Sequence, residues 1–198
     1  MIAVTGTCGK TTTTYLLKAI LEQARGVKVG LIGTNQNMIG SDVIPTERTT
    51  PESFEVQKLV REMADAGCTH VVMETSSHAL YLDRVYGVRY DVGIFTNLTQ
   101  DHLDFHKTME NYCDAKAILF RNCVTGVVNA DDPWTPRLLK DADCKVMTYA
   151  EQADAELRAE NIVLSAGGIA FDAVSGAERV PIRVNIPGGF MVYNTLDV

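Results

Sequence analysis

An apolar run, Ile2 to Val4, breaks into Thr5-Gly6-Thr7-Cys8-Gly9-Lys10-Thr11, and a helical pattern starts straight after it. Few sequence features restrict a fold as much. A buried strand, a glycine turn and a helix start in direct succession bring backbone N–H groups and the positive end of a helix to one point. Glycines are needed there because a Cβ would block the approach of an anion to the backbone. Lys10 then reaches outer phosphate oxygens, and the Thr11 hydroxyl is placed for Mg²⁺. The stretch departs from the full Walker A pattern, which asks for glycine where Val4 stands. A phosphate cradle is the expectation; an ordinary strand-turn-helix connection is the alternative.

Apolar runs and helical patterns alternate downstream. The first helix is expected from about Thr11 to Gln23, with Tyr15, Leu16, Ala19 and Ile20 as its apolar pattern. Val27 to Gly33 reads as a buried strand, and Thr34 to Pro45 as a loop or weak hairpin. Thr49-Thr50-Pro51-Glu52 reads as a helix start, with a threonine cap and proline at the first helical position. Phe54, Val56, Leu59, Val60 and Met63 form that helix's apolar face. His70 to Glu74 is a strand ending in an acid, and Ser77 is expected to cap a helix from Ala79. Tyr90 to Thr96 is a strand ending at Asn97, followed by a polar loop from Leu98 to His106. A helix from about Met109 to Arg121, strands Gly126–Asn129 and Lys145–Tyr149, and a short helix between them complete the series.

Such alternation implies βαβ units and a mostly parallel sheet covered on both faces. From about Ala155 the texture changes: three apolar stretches separated by Gly167-Gly168 and Ser175-Gly176 read as a small antiparallel meander. The expected fold class is α/β: one domain over 1–198, with a parallel core over 1–150 and a small antiparallel sheet over 155–186.

A net charge of −7 with no basic stripe argues against a nucleic-acid partner. No apolar run reaches membrane-spanning length, so no membrane insertion is expected. Five cysteines with no C-x-x-C fit a reduced, cytoplasmic setting better than disulfides or zinc. Met1 leads straight into a strand without a basic leader, so no secretory signal is expected. The chain stops on a helical pattern begun at Val192, which suggests an excised domain or fragment.

Ligands of parallel sheets bind outside the carboxyl ends of the strands. Gly6 to Thr11, Glu74, Asn97 and Asn129 fall on that rim. Glu74 is either a Mg²⁺ carboxylate or a solvent-facing strand end. His102, between Asp101 and Asp104, reads as a metal ligand, a phosphate contact or a satisfied loop histidine. His78 and His106 read as helix caps or solvent-facing groups. Lys116, among Ala115, Ala117, Leu119 and Phe120, reads first as a snorkelling surface lysine. A desolvated, reactive amine is the alternative. Arg84 can pair with Asp83 or grip an anionic substrate. Asn129 can read an adenine edge or cap the turn after Asp131.

Together the motifs resemble the Mur ligase family, above all the central ATPase domain of its MurE-type members. The pieces are TGTCGKTT at Thr5–Thr12, ERTTPES at Glu47–Ser53, METSSHAL at Met73–Leu80 and FTNLTQDHLDFH at Phe95–His106. YCDAKAILF at Tyr112–Phe120, VVNADDP at Val127–Pro133 and PGGFMVYNTL at Pro187–Leu196 continue the set in order. The resemblance implies that Gly6, Thr7, Cys8, Gly9, Lys10, Thr11 and Thr12 hold ATP phosphates, with Asn97 and Asn129 on the nucleotide side. It implies that Thr11, Glu74, His102 and a carbamylated Lys116 serve Mg²⁺ ions, with Lys10 among the catalytic groups. Thr49, Thr50, Ser76 and Arg84 match positions that contact a UDP-muramoyl-dipeptide. The implied reaction forms an acyl phosphate from the dipeptide carboxylate and ATP, and the amine of an amino acid, diaminopimelate or lysine, then displaces phosphate in peptidoglycan synthesis. Cys8 stands where many members have Asn, and Leu82 where some place a polar substrate contact. The family's N-terminal uridine-binding and C-terminal amino-acid-binding domains are missing, so the chain alone is expected not to ligate. Rival readings are another ligase of the superfamily, such as a folylpolyglutamate synthase, and a nucleotide-binding module without chemistry.

Overall fold

A computed structural model describes residues 1–198. Strand β1 (Ile2–Thr5) leads through the glycine turn into helix α1 (Lys10–Arg25). Strands β2 (Val29–Ile32), β3 (Asn37–Ile39) and β4 (Asp42–Ile44) precede helix α2 (Ser53–Asp65). Next come β5 (His70–Glu74), α3 (Ser77–Tyr81), β6 (Tyr90–Phe95), α4 (Leu103–His106) and α5 (Met109–Ala117), the last running into a 3₁₀ turn, Ile118–Arg121. Strand β7 (Cys123–Asn129), α6 (Thr135–Leu138), β8 (Lys145–Ala150), β9 (Leu157–Ser165), β10 (Gly168–Ser175), β11 (Glu178–Val184) and α7 (Phe190–Leu196) complete the chain.

All eleven strands join one sheet, ordered β11-β10-β9-β8-β7-β6-β1-β5-β2-β3-β4. The centre is parallel: β1 pairs with β5 on one side and β6 on the other. Thr34 to Pro45 is a true hairpin, and its first strand continues the sheet beyond β2. The meander is antiparallel as expected, and β9 joins it to the main sheet by pairing parallel with β8. In-register pairing of Val4 with Glu74, and of Thr5 with Phe95, puts the ends of β1, β5 and β6 side by side. Chain direction across the sheet reverses at β1, the position where open α/β sheets leave a crevice.

Two helix faces differ from the sequence pattern. In α1 the buried residues are Thr13, Thr14, Leu17 and Lys18, while Ala19 and Ile20 are exposed. The physical reason is that α1 is covered twice. Leu17 packs on Val4, Val29, Val72 and Ile94, while Leu16 lies against the cluster formed by α7. In α2, Val56, Leu59 and Met63 are buried as expected, but Phe54 is 77% exposed. The α2 cap is Glu52, which forms a capping box with Glu55, not a threonine. Helix α3 is capped by Ser76, whose Oγ accepts from Ala79 N at 3.1 Å, not by Ser77.

Helix α7 lies on α1 and brings a carboxyl group into the interior. Asp197 is buried, its Oδ2 accepts from the Thr13 hydroxyl at 3.1 Å, and its Oδ1 has no partner. Burial pushes this carboxyl up to about 8, against the smaller opposing pull of the Thr13 bond. An acid whose folded pKa exceeds its unfolded value binds more protons when folded, so folding weakens as pH rises from about 4 to about 8. Asp197→Asn is therefore expected to stabilise the chain at pH 8, by on the order of a few kcal/mol, and to change little near pH 4. Urea denaturation at the two pH values checks this; an equal effect at both would remove the buried acid as the cause.

Candidate nucleotide and metal site

The loop after β1 is shaped by what lies beneath it. Gly6 has φ 149, and a Cβ there would overlap the Thr96 hydroxyl. Gly9 has φ 92, and its Cβ would come within 2.5 Å of Asn194 Oδ1 on α7. Both positions therefore need glycine. Residues after β6 hold the loop: Asn97 accepts from Cys8 N at 3.0 Å and donates to Cys8 O at 3.1 Å, and Thr96 donates to Cys8 O at 2.6 Å. Thr7 N donates to Asn97 O at 2.8 Å. Cys8 itself is exposed and serves through its backbone.

Two lysines converge on this loop. Lys10 Nζ donates to Gly6 O and Thr7 O, each at 3.0 Å. Lys116 Nζ donates to the same Gly6 O at 2.9 Å and lies 4.5 Å from the centroid of the Tyr112 ring. Lys116 is 1% exposed, so the snorkelling reading of the sequence is corrected. Its head ends on the loop carbonyl and against the Tyr112 ring instead of reaching water. Burial first, and the charge of Lys10 second, hold the Lys116 amine well below the usual lysine range. Lys10 is also lowered by burial, with Glu74 the largest opposing influence. Thr12 sits half-buried in the first turn of α1.

Glu74 is fully buried, not solvent-facing. Its Oε2 accepts from the Thr11 hydroxyl at 3.0 Å and the Thr34 hydroxyl at 2.9 Å, and its Oε1 from Thr34 N at 2.9 Å. A Cβ on Gly33 would stand 2.5 Å from Oε1, so the glycine leaves the carboxylate its space. A carboxylate and a hydroxyl touching at the start of α1 are hard oxygen donors of the kind Mg²⁺ takes, and the residues fit that ion.

His102 occupies a left-handed position (φ 53) before α4, half-exposed, with its ring 5.0 Å from His78 and 6.0 Å from Tyr112. It makes no hydrogen bond to Glu74 or Thr11. No three His, Cys, Asp or Glu side chains form a ready metal cage. His106, read from sequence as a cap or surface group, is buried, and Nε2 lies 2.9 Å from Ser77 Oγ. Burial, aided by His78 and Lys116, lowers it to about 4, so it is neutral.

The residues matched to the muramoyl substrate gather next to Glu74. Thr50 is buried; its hydroxyl donates to Glu74 O at 2.9 Å and accepts from Ser76 N at 3.0 Å. This overturns the helix-cap explanation of Thr49-Thr50: Thr50 ties the loop to the end of β5 instead. The Thr49 hydroxyl lies 3.0 Å from the Thr34 hydroxyl. Arg84 reaches Thr50 O at 3.4 Å and pairs with Glu52 at 3.2 Å rather than with Asp83. Arg48 also contacts Glu52, beside a cleft of about 570 Å³ between the β3–β4 hairpin and α2. On the other flank, Asn129 Nδ2 donates to Thr96 O and its Oδ1 accepts from Asp131 N, each at 3.0 Å. Asn129 thus spends its amide on the turn. Sequence reading missed Thr34, Tyr112, Asn194 and Asp197; Tyr112 and Asn194 lay in recognised segments, whereas Thr34 and Asp197 did not.

Residues 4–198 match the family model described as the Mur ligase middle domain. The chain belongs to that family. It is 52% identical over 196 residues to the UDP-N-acetylmuramoyl-L-alanyl-D-glutamate--2,6-diaminopimelate ligase of Clostridium botulinum, covering 99% of this chain and 40% of that protein. A solved structure of a ligase of the same name superposes with TM-score 0.89 at 30% identity, covering 99% of this chain and 41% of that one. FPGS from L. casei shares the fold at TM-score 0.71 and 17% identity, covering 98% of this chain and 55% of that one. The chain thus spans about two fifths of the diaminopimelate ligases it matches. No helix is long and apolar enough to cross a membrane.

Thr50→Val keeps the side-chain volume but removes the bonds to Glu74 O and Ser76 N. It is expected to cost about 1–3 kcal/mol, because it strands a backbone donor in a partly buried place. A urea midpoint unchanged from wild type would show that this tie carries no weight.

Proposed function

We propose that this chain is the nucleotide-binding, phosphoryl-transferring part of a longer ligase. That ligase joins an amino acid to UDP-N-acetylmuramoyl-L-alanyl-D-glutamate at the expense of ATP. The amino acid is diaminopimelate by the names of its relatives. The observation behind this is the convergence of Lys10 and Lys116 on Gly6 O, with the Glu74–Thr11 oxygen pair at the adjoining strand end. A triphosphate over the loop would draw Lys10 off Gly6 and Thr7 and leave its ammonium on phosphate oxygens. Backbone N–H groups and the α1 N-terminus add to that attraction. Attack of the dipeptide carboxylate on the γ-phosphoryl group brings anions together, so the barrier is electrostatic and the fixed positive groups act on it directly.

Thr11, Glu74, His102 and a carbamylated Lys116 would hold Mg²⁺, which supplies charge neutralisation between carboxylate and polyphosphate. Lys116 suits carbamylation because burial lowers its pKa and so favours the unprotonated amine: nitrogen attacks CO₂, an N–C bond forms, and one proton leaves to solvent. Thr49, Thr50, Ser76 and Arg84 would face the muramoyl-dipeptide. Arg84 would exchange its Glu52 partner for a substrate anion. Asn97 keeps the loop in shape, and Asn129 the neighbouring turn. A cytoplasmic setting suits these substrates.

The 198-residue chain is expected to bind Mg·ATP without ligating. Lys10→Ala should abolish binding in calorimetry, while unchanged affinity would count against the phosphate-loop reading.

A further inference from the structure

Thr34 lies between the two halves of the site and belongs to neither of the motifs that flank it. It follows β2 in the turn leading to the hairpin, and its backbone N–H already fixes it to Glu74 Oε1. Its hydroxyl then faces two acceptors at nearly equal range: Glu74 Oε2 at 2.9 Å and Thr49 Oγ1 at 3.0 Å. A hydroxyl has one proton, so it cannot donate to both. A carboxylate only accepts, whereas the Thr49 hydroxyl can give or take. Two arrangements follow. In one, Thr49 donates to Thr34 and Thr34 donates to Glu74. In the other, Thr49 gives its proton elsewhere, Thr34 donates to Thr49, and Glu74 Oε2 loses one of its two hydroxyl donors.

We propose that Thr34 is a positioning residue whose hydroxyl proton switches between Glu74 and Thr49, coupling an anionic group bound at Thr49 to a divalent cation bound at Glu74. This rests on the functional reading above, which gives Glu74 a cation and Thr49 a substrate. An anionic group accepting from Thr49 takes the proton that otherwise satisfies Thr34. The Thr34 proton then turns to Thr49, and the freed Oε2 lone pair is available to metal. The linkage is reciprocal: a cation on Oε2 repels the Thr34 proton toward Thr49 and leaves the Thr49 proton for the substrate. The cation and the carboxylate substrate then favour each other's binding through one proton, with no backbone movement. No other side chain bonds both Glu74 and Thr49.

The test uses the full-length ligase that carries this chain, with Mn²⁺ as the metal. Calorimetry measures Mn²⁺ affinity in the presence of ADP, with and without the UDP-muramoyl-dipeptide. In the wild type the dipeptide is expected to tighten Mn²⁺ roughly fivefold or more, the lower range of measured couplings. Thr34→Val keeps the shape and the backbone bond to Oε1 but loses the proton, so the ratio should fall to about one. Thr34→Ser should restore it. An undiminished ratio in Thr34→Val, no ratio in the wild type, or no rescue by Thr34→Ser would each overturn the switch. Glu74→Gln separates the two readings: if Mn²⁺ binds equally well without that carboxylate, the metal assignment fails and takes the switch with it. If Glu74→Gln weakens Mn²⁺ and Thr34→Val changes nothing, only the switch fails.

Discussion

Two ammonium groups aimed at one carbonyl oxygen govern this structure. Lys10 comes from the start of α1 and Lys116 from α5, far apart in sequence, and both end on Gly6 O. Such a pair cannot both stay charged in a buried place without cost, because desolvation and mutual repulsion act in the same direction. Lys116 is the more deeply buried of the two, and burial together with the Lys10 charge lowers its pKa well below the ordinary lysine range. Lys10 keeps the nearby Glu74 carboxylate as an opposing influence. The glycine turn, the Asn97 and Thr96 bonds beneath it and the packing of Tyr112 all hold the loop so that this convergence persists.

The rest of the rim extends that constraint. Glu74, inside the sheet edge, gathers hydroxyl and amide donors from Thr11 and Thr34, and its own carbonyl is tied to Thr50. Anionic ligand would meet positive groups on the loop side and cation-binding oxygens on the β5 side. The ammonium groups and the buried carboxylate are thereby kept on separate sides of the α1 start. Arg84, paired with Glu52, keeps a guanidinium beside Thr50 on the same side.

Much of this was legible in the sequence because it is local. The strand-turn-helix at Gly6–Thr11 and the acid ending His70–Glu74 are adjacent-residue patterns with a direct geometric meaning. The strand alternation that sets Glu74 beside Val4 follows from the same patterns. What failed was non-local. Lys116 among alanines and large apolar residues looks the same on a helix whether its head snorkels or is trapped; only the packing of α5 on the loop decides. Thr49-Thr50 before a proline has the composition of a cap, yet Thr50 bonds a strand end many residues away while Glu52 and Glu55 cap the helix themselves. The α1 face was misjudged because α7, near the far end of the chain, covers a second side of it. Thr34 gave no signal, since a threonine in a turn is ordinary until Glu74 and Thr49 are brought to it.

The state of the Lys116 nitrogen is the point on which these inferences converge, and it is directly measurable. The chain incubated with ¹³C-bicarbonate at neutral pH should give a carbamate carbon resonance in NMR, absent from Lys116→Ala. A wild-type spectrum without that resonance, together with a Lys116 amine titrating in the ordinary lysine range, would contradict a trapped amine of lowered pKa beside Lys10.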